Sequence, residues 1–165
     1  MAPKIGSFLT KHGTEGIDYS FDIKSGDWYL GYGGDDTFSP VTTGYLFLDD
    51  YPYKIPAIIS GGYGNDIYRI HPSGYIIIAD NSTSDKDRLV FSEMLAGDVT
   101  TLFTIEGRHL FVQVEYWNGG LATAIILDAL NSQGAIETIA FKDINFSGDP
   151  QSISRLISTY KTKND

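Results

Sequence analysis

The sequence predicts an all-β protein in which a short parallel β-roll continues into an antiparallel β-sheet or sandwich and ends in one α-helix. Glycine- and aspartate-rich turns with a nine-residue period predict the roll, and a period of two in the second half predicts the antiparallel strands. Apolar residues at helical spacing near the C-terminus predict the helix. We expect residues 1–98 to form the roll, with an insertion at about 40–60, and residues 99–165 to continue it within one domain.

Composition and charge narrow the classes of protein to which the chain can belong. Of its 165 residues 42% are hydrophobic, which is enough to bury a core. Twelve basic and 21 acidic residues give a net charge of -9, which disfavours nucleic acids and anionic membranes and suits the binding of cations. The absence of cysteine excludes disulfides, zinc–thiolate sites and thiol nucleophiles. No apolar stretch approaches the ~18 residues of a membrane span, and the first residues lack the apolar core of a secretory signal.

Three consecutive nonapeptides carry the repeat: GTEGIDYSF (13–21), DIKSGDWYL (22–30) and GYGGDDTFS (31–39). A fourth copy, GGYGNDIYR (61–69), matches the pattern G-G-x-G-x-D-x-U-x in full. The aspartates at the sixth places are Asp18, Asp27, Asp36 and Asp66, and glycines at the second and fourth places include Gly34, Gly62 and Gly64. This nonapeptide is typical of calcium-binding β-structures. The period is lost between the third and fourth copies, so we expect a short, interrupted roll that holds few ions.

The spacing of alternate copies explains why glycine and aspartate occur together. Two nonapeptides form one coil, so Asp18 and Asp36 should face one slot on the same edge, and Asp27 should lie on the opposite edge. Two stacked carboxylates repel each other by about 1 kcal/mol at ~4 Å in water, and by more near protein. Calcium binds carboxylate and carbonyl oxygens and reverses that repulsion, and glycine lets the carbonyls turn toward the ion.

The segment 61–91 resembles the last repeat and the following segment of the RTX, or haemolysin-type, proteins of bacteria. It has the glycine–aspartate repeat, an apolar strand at 75–79, an acidic turn and a final strand at 89–91. The acidic turn contains Asp80, Asp85 and Asp87. The resemblance implies calcium binding, calcium-dependent folding, and export to the extracellular space by type I secretion without an N-terminal signal peptide. It implies neither pore formation nor toxicity.

Together the repeats and the resemblance predict calcium as the cofactor and a monomer as the oligomeric state. The predicted calcium-binding residues are Asp18, Asp27, Gly34, Asp36, Gly62, Gly64, Asp66, Asp80, Asp85 and Asp87. We expect no catalysis, because the glycine-rich segment is followed by no Gly-Lys-Ser/Thr of a phosphate loop and no G-x-S-x-G nucleophile motif occurs. The histidines are scattered and have no metal-ligand spacing.

The second half has the strand and helix patterns of a segment that can build a hydrophobic core without bound ions. Residues 110–117 alternate with a period of two, 101–105 does the same, and the residues between them, Glu-Gly-Arg, predict a hairpin turn. Residues 122–127 and 136–141 are further predicted strands, although 122–130 also suits a helix. Asp149 and Pro150 are typical of an N-cap and the first helical position, before an apolar helix face.

A second functional class stays open beside a calcium-binding module. The segments LDDYPYK (48–54) and YWNGG (116–120) place aromatic residues beside polar turn residues, as sugar-binding surfaces do. Core packing and the ordinary amphipathic role of tyrosine at a sheet surface explain the same residues. The alternative is therefore a carbohydrate-binding or adhesion β-sandwich module with structural calcium, whose partner is a polysaccharide or a cell surface.

Overall fold

A computed structural model gives the fold over residues 10–20, 22–42, 45–49, 51–80, 85–131 and 136–164. In this part of the chain the protein is mostly β-strand, with a short 3₁₀ helix at Ala96–Asp98 and one α-helix, α1, at Pro150–Asn164. The strands are β1 (Thr10–His12), β2 (Tyr19–Ser20), β3 (Trp28–Leu30), β4 (Thr37–Phe38), β5 (Tyr45–Leu48), β6 (Tyr51–Lys54), β7 (Ala57–Ser60), β8 (Ile67–Ile70), β9 (Tyr75–Ile78), β10 (Arg88–Phe91), β11 (Val99–Ile105), β12 (His109–Glu115), β13 (Leu121–Ile126), β14 (Thr138–Ala140) and β15 (Asn145–Ser147).

Two mixed sheets enclose the core. The first has the strand order β1-β3-β7-β9-β13-β12-β11, and the second has the order β15-β14-β10-β8-β4-β2. From β1 to β4 and again from β7 to β10, successive strands belong alternately to the first and the second sheet. Each of these strands pairs in parallel with its neighbours in its own sheet, for example β1 with β3 and β2 with β4. The predicted all-β architecture with a C-terminal helix is confirmed. Calcium binding by its turns stays a prediction.

The first coil has the length that the repeat spacing predicts, and the second contains an insertion. Thr10 pairs with Trp28 in the first sheet, and Tyr19 pairs with Thr37 in the second. Trp28 then pairs with Ile58, because the chain between these two strands also forms the antiparallel hairpin β5–β6. Within the described residues this hairpin pairs with neither large sheet, and it lies inside the insertion expected at 40–60.

The second half completes both sheets. Strands β11, β12 and β13 form an antiparallel meander, and β13 joins the first sheet by pairing in parallel with β9. The predicted hairpin turn between β11 and β12 uses left-handed backbone at Glu106 and Gly107, with φ of 54° and 67°. Residues 121–126 form a strand, so the helical alternative for this segment is wrong. Strand β14 pairs in parallel with β10, which extends the second sheet.

The core lies between the sheets and is built from the inward-facing residues of both. Tyr29 packs edge-on against Phe38, and Phe38 stacks on Tyr68, with ring centroids 5.4 and 5.2 Å apart. Other fully buried side chains are Ile23, Ile59, Ile70, Ile76, Ile78, Leu89, Phe91, Met94, Leu110 and Ile126. Burial of each such side chain contributes about 1.5–3 kcal/mol, so the sandwich has a substantial apolar core.

Helix α1 begins where its capping residue predicts. The Asp149 carboxylate accepts hydrogen bonds from the Ser152 backbone N–H (2.9 Å) and the Ser152 hydroxyl (2.6 Å). The Ser147 hydroxyl also donates to the Asp149 carboxylate, and this bond, together with those from Ser152, lowers the pKa of Asp149. Ile153 and Ile157 are the buried residues of the helix and pack into the core. No helix in the described part of the chain has the length and apolar character to span a bilayer.

We expect a glycine substitution to be much more destabilising inside the repeat turns than outside them. Gly64 has φ +124°, and a Cβ there would overlap the Gly34 carbonyl of the neighbouring coil. Gly64→Ala should therefore lower the free energy of unfolding by about 2 kcal/mol or more. Gly97→Ala meets no atom within 4 Å, and should change it by less than about 0.5 kcal/mol. Equal urea midpoints for the two variants would contradict the close packing of the turns.

Candidate metal centre

An aspartate directly precedes each of four neighbouring strands in the second sheet. Asp18, Asp36, Asp66 and Asp87 come before β2, β4, β8 and β10, and we call this set the aspartate ladder. The strands are parallel and in register, with Tyr19 paired to Thr37, Thr37 to Ile67 and Ile67 to Arg88. The four aspartates therefore lie side by side along one edge of the sandwich.

Three ladder carboxylates, those of Asp36, Asp66 and Asp87, and the carboxylate of Glu137 each accept a hydrogen bond from the backbone of the preceding coil. The four bonds run from Asp18 N–H to Asp36 Oδ1 (2.8 Å), from Asp36 N–H to Asp66 Oδ1 (2.9 Å), from Asp66 N–H to Asp87 Oδ1 (2.8 Å) and from Asp87 N–H to Glu137 Oε2 (2.7 Å). Glu137, which directly precedes β14, thus ends the series. One oxygen of each acceptor is therefore engaged in holding adjacent coils together.

The second oxygen of two ladder residues has no partner within the described part of the chain. Asp36 Oδ2 and Asp66 Oδ2 are buried and accept no hydrogen bond from any described residue, in side chains that are 1% and 0% exposed. A buried carboxylate oxygen without a partner is costly unless the group binds a proton or a cation. Asp36 and Asp66 thus each offer one buried carboxylate oxygen that could bind a proton or a cation.

Glycines of the first sheet make room for these carboxylates. Gly13, Gly31 and Gly61 follow β1, β3 and β7 in register, and we call them the glycine row. A Cβ at Gly13 would lie 2.6 Å from Asp18 Oδ2, and a Cβ at Gly31 would lie 2.7 Å from Asp36 Oδ2. A Cβ at Gly61 would overlap Asp66 Oδ2. Any side chain in the row would displace a carboxylate.

Asp80 occupies the next position of the glycine row. Ile59 pairs with Ile78, so the register two residues further on places Asp80 opposite Gly61. A third carboxylate thereby joins two members of the ladder: one oxygen each of Asp66, Asp80 and Asp87 lie within 4.8 Å of one another. All three side chains are buried, with exposed fractions of 0%, 2% and 0%. This buried group could hold a metal ion.

Tyr68 connects this group to the glycine row. Its hydroxyl donates a hydrogen bond to Asp80 Oδ2 and accepts one from the Gly61 backbone N–H at 2.9 Å. Burial and the neighbouring carboxylate of Asp80 raise the pKa of the Tyr68 hydroxyl, so the hydroxyl stays protonated and acts as a donor. Asp80 is thus held in place by a neutral hydroxyl.

Burial is the largest cause of the shifted acidity of the cluster. It raises the pKa of Asp36 to about 6, of Asp66 to about 7 and of Asp87 to about 8. The charge of Asp80 raises the pKa of Asp66 and Asp87 further, and the backbone hydrogen bonds lower it without cancelling the rise. Asp66 and Asp87 are therefore partly protonated at neutral pH, and a bound cation would favour their charged forms.

The structure brings together most of the predicted calcium-binding residues. Asp18 and Asp36 are adjacent in the ladder, and Asp85 Oδ2 accepts a hydrogen bond from the Gly64 N–H at 2.8 Å, beside the Asp66 turn. Three predicted glycines have left-handed backbone and lie close to a neighbouring coil: Gly34 (φ +100°), Gly62 (φ +97°) and Gly64 (φ +124°). Glycine is needed there for conformation and for space.

Asp27 lies at the opposite edge, as its phase in the repeat predicts. Its carboxylate is 2.9 Å from the Lys11 ammonium and accepts the Lys24 backbone N–H at 2.8 Å. The hydrogen bond and charge of Asp27 raise the pKa of Lys11. A lysine thus already compensates Asp27, in contrast to the Asp66 group.

Sequence reasoning missed three parts of the site. Tyr68 stands at the eighth place of the best repeat, where a large apolar residue is usual, and its hydroxyl could not be placed from the pattern. Glu137 precedes a strand as the ladder aspartates do, but no nonapeptide marks it. The glycine row was visible only as the first residue of three repeats, with no indication that a carboxylate fills the space beside it.

The chain matches no known family model and no curated protein sequence. The resemblance to RTX proteins therefore stays a prediction, and the assignment of the site depends on its own geometry.

We expect the metal-free protein to lose stability as the pH rises. The pKa values of Asp36, Asp66 and Asp87 in the folded protein lie above the ordinary value of 3.8. The folded state then binds more protons than the unfolded chain, so its stability is full below pH ~4 and falls as pH rises through about 6 to 8. The lowered pKa of Asp149 acts only below pH ~4, outside this window.

Calorimetric melting in a chelator should therefore give a lower Tm at pH 8 than at pH 5. The variant Asp80→Asn is the matched control, because it removes one like charge from the group and should reduce the difference. A Tm that rises between pH 5 and pH 8 in the chelator would contradict the charge distribution described above.

Proposed function

We propose that the protein is a non-enzymatic calcium-binding module in which Asp66, Asp80 and Asp87 hold the ion. The observation that carries the proposal is Asp66 Oδ2, a buried carboxylate oxygen without a partner inside a group of three buried carboxylates. A bound cation satisfies this oxygen and compensates the like charges at once. Each carboxylate would supply one ligand atom, and calcium would act as a structural cross-link between coils.

The donor set favours calcium over other common metal ions. All three side chains offer hard oxygen ligands, and neither cysteine nor histidine belongs to the group, which disfavours zinc and copper. Magnesium requires a tight octahedron and gives up its water reluctantly, whereas calcium accepts six to eight oxygens in flexible geometry. Backbone carbonyls of the glycine-rich turns are suitable additional ligands. We expect a dissociation constant on the order of 0.1–1 mM.

A second calcium position is proposed at Asp18 and Asp36. The two residues are neighbours in the ladder, and Asp36 Oδ2 is buried without a partner. Asp18 Oδ2 also accepts a hydrogen bond from the Thr14 backbone N–H at 2.6 Å, so part of its capacity is already used. This position should therefore bind calcium more weakly than the group around Asp66.

Calcium would couple binding to folding of the repeat turns. Residues 13–39 contain few large aliphatic side chains, and ordering a backbone costs about 1–2 kcal/mol per residue. An ion that binds only the folded form stabilises it by mass action. Secretion by the type I route, followed by folding in extracellular calcium, is part of the proposal and is supported only by the resemblance of 61–91 to RTX proteins.

Substitution of Asp80 should separate calcium binding from fold integrity. Asp80→Asn keeps the size of the side chain and an acceptor for Tyr68, but it removes one charge from the ion-binding group. We expect calcium affinity to fall about tenfold or more, since a charged ligand is lost. Without calcium, the same variant should melt at a higher temperature than the wild type at pH 8. Isothermal titration calorimetry and thermal melting measure the two effects.

Asp27→Asn is the matched control, because Asp27 is also a buried aspartate, and Lys11 already compensates its charge. It should lower stability and leave calcium affinity unchanged. Unchanged calcium stoichiometry and affinity in Asp80→Asn would show that the ion is not held by this group.

Hydrogen exchange should show which part of the protein depends on the ion. Strands β11–β13 and helix α1 bury apolar residues of their own, so amides in 99–160 should stay protected in a chelator. Amides in 13–39 should gain protection when millimolar calcium is added and much less when magnesium is added. Equal protection of 13–39 with and without calcium would show that the ion does not order these turns.

The alternative function, a carbohydrate-binding or adhesion module with structural calcium, has support from a different part of the molecule. The two aromatic segments noted in the sequence, 48–54 and 116–120, both contribute to a groove outside the first sheet. Sugar binding there and calcium binding in the ladder are compatible with each other.

A further inference from the structure

A groove of about 550 Å³ lies across the outer face of the first sheet, beside the β5–β6 hairpin. Its floor consists of outward-facing residues of β9, β13 and β12. Thr123 pairs with Tyr75 on one side and with Gln113 on the other, so these three form one cross-strand row. Phe111 and Leu121 lie beside this row. The volume is that of a typical site for a small molecule.

The walls of the groove come from segments that are far apart in the sequence. Tyr53 and Lys54 of β6 form one side, and Gly119 and Gly120 of the turn after β12 close one end against Ser73. A Cβ at Gly120 would lie 2.5 Å from Ser73 Oγ, so this turn approaches Ser73 as closely as glycine allows. The insertion in the repeat array thus builds one wall of the groove.

The lining combines aromatic rings with neutral hydrogen-bonding groups. Tyr53, Tyr75 and Phe111 supply the rings, and hydroxyl and amide groups stand between them. Gln113 Nε2 donates a hydrogen bond to Thr123 Oγ1 at 3.1 Å, which fixes the orientation of the amide. A sugar ring presents an apolar face that packs on aromatic rings and a rim of hydroxyls that pairs with amides and hydroxyls.

Among the described residues of this lining there is one positive charge, in a protein whose net charge is -9. It is the ammonium of Lys54, which is half-buried and forms no ion pair within the described part of the chain. Burial lowers the pKa of Lys54. A half-buried ammonium without a counter-ion is the natural partner of an anionic group on a ligand.

We propose that this groove binds a sugar that carries a carboxylate, that is, a uronic acid residue of a polysaccharide. The sugar ring packs against the aromatic residues, the carboxylate pairs with Lys54, and Gln113 contacts a ring hydroxyl. Among the residues that the structure describes, no aspartate or glutamate lines the groove. The inference therefore goes beyond calcium binding, and either can fail without the other.

Isothermal titration calorimetry of the full chain in millimolar calcium tests this. The probes are short oligomers of galacturonic, glucuronic, mannuronic and guluronic acid, each beside the neutral oligomer that has hydroxymethyl groups in place of carboxylates. We expect at least one uronate oligomer to bind more tightly than its neutral counterpart. Lys54→Met should weaken that binding by about tenfold or more, and Lys54→Arg should retain it.

Controls distinguish the groove from general surface effects. Trp117 lies in the same turn as Gly119, is 83% exposed and does not line the groove, so Trp117→Ala should bind as the wild type does. Lys142→Met removes an exposed lysine paired with Glu93 and should also have no effect. Gln113→Glu adds a negative charge to the floor and should weaken uronate binding, which tests the site if Lys54→Met does not fold.

Three results would overturn the proposal. The first is that no uronate oligomer binds. The second is that a neutral oligomer binds as tightly as its uronate counterpart, or that Lys54→Met, folded by circular dichroism, binds like the wild type. The third is that polyglutamate peptide binds as tightly as the uronates, which would identify the groove as a site for acidic peptide.

Discussion

The fold depends on a hydrogen bond between a carboxylate in one coil and a backbone N–H in the coil before it. The bonds from Asp18 to Asp36, Asp36 to Asp66 and Asp66 to Asp87 connect the second sheet along its edge. Because each bond uses a side chain that must stay inside the protein, the chain accumulates buried negative charge as it adds coils. The interaction that holds the coils in register also creates the electrostatic cost that a cation would offset.

Glycine and aspartate are complementary in this arrangement. The glycine row leaves space in the first sheet, and the aspartates of the second sheet extend one oxygen into that space. At the fourth position of the row, Asp80 replaces glycine, and two carboxylates become three. The group of three carboxylates that could hold a metal ion thus arises from one exchange in a regular pattern. The Tyr68 hydroxyl forms hydrogen bonds to both Gly61 and Asp80, and so links the last glycine of the row to the aspartate that follows it.

The two faces of the first sheet have different chemistry because its side chains alternate. Inward residues such as Ile76 and Ala124 are buried in the core, and the outward residues between them form the floor of the groove. The hairpin β5–β6 interrupts the repeat without disturbing the parallel pairing of β3 with β7, since within the described residues its two strands pair only with each other. An insertion in a coiled array can in this way build a second surface while the coils keep their register.

The sequence by itself determined the local structure of this protein. Periods of nine, two and 3.6 residues depend on neighbours along the chain, so the repeat turns, the strands β11 and β12, and the Asp149 cap of helix α1 could be predicted. Strand β12 ends at Glu115, two residues before the predicted end at residue 117. The sequence also determined that Asp18 and Asp36 are neighbours and that Asp27 lies apart from them. In a coil of 18 residues, side chains 18 apart in the sequence lie side by side, and those nine apart lie at opposite edges. Only the tertiary structure decided that Asp80 enters the glycine row, that Glu137 ends the ladder and that Lys54 and Gln113 line the same groove. These relations cross an irregular insertion or join separate strands, and no period in the chain records the register at which such segments meet.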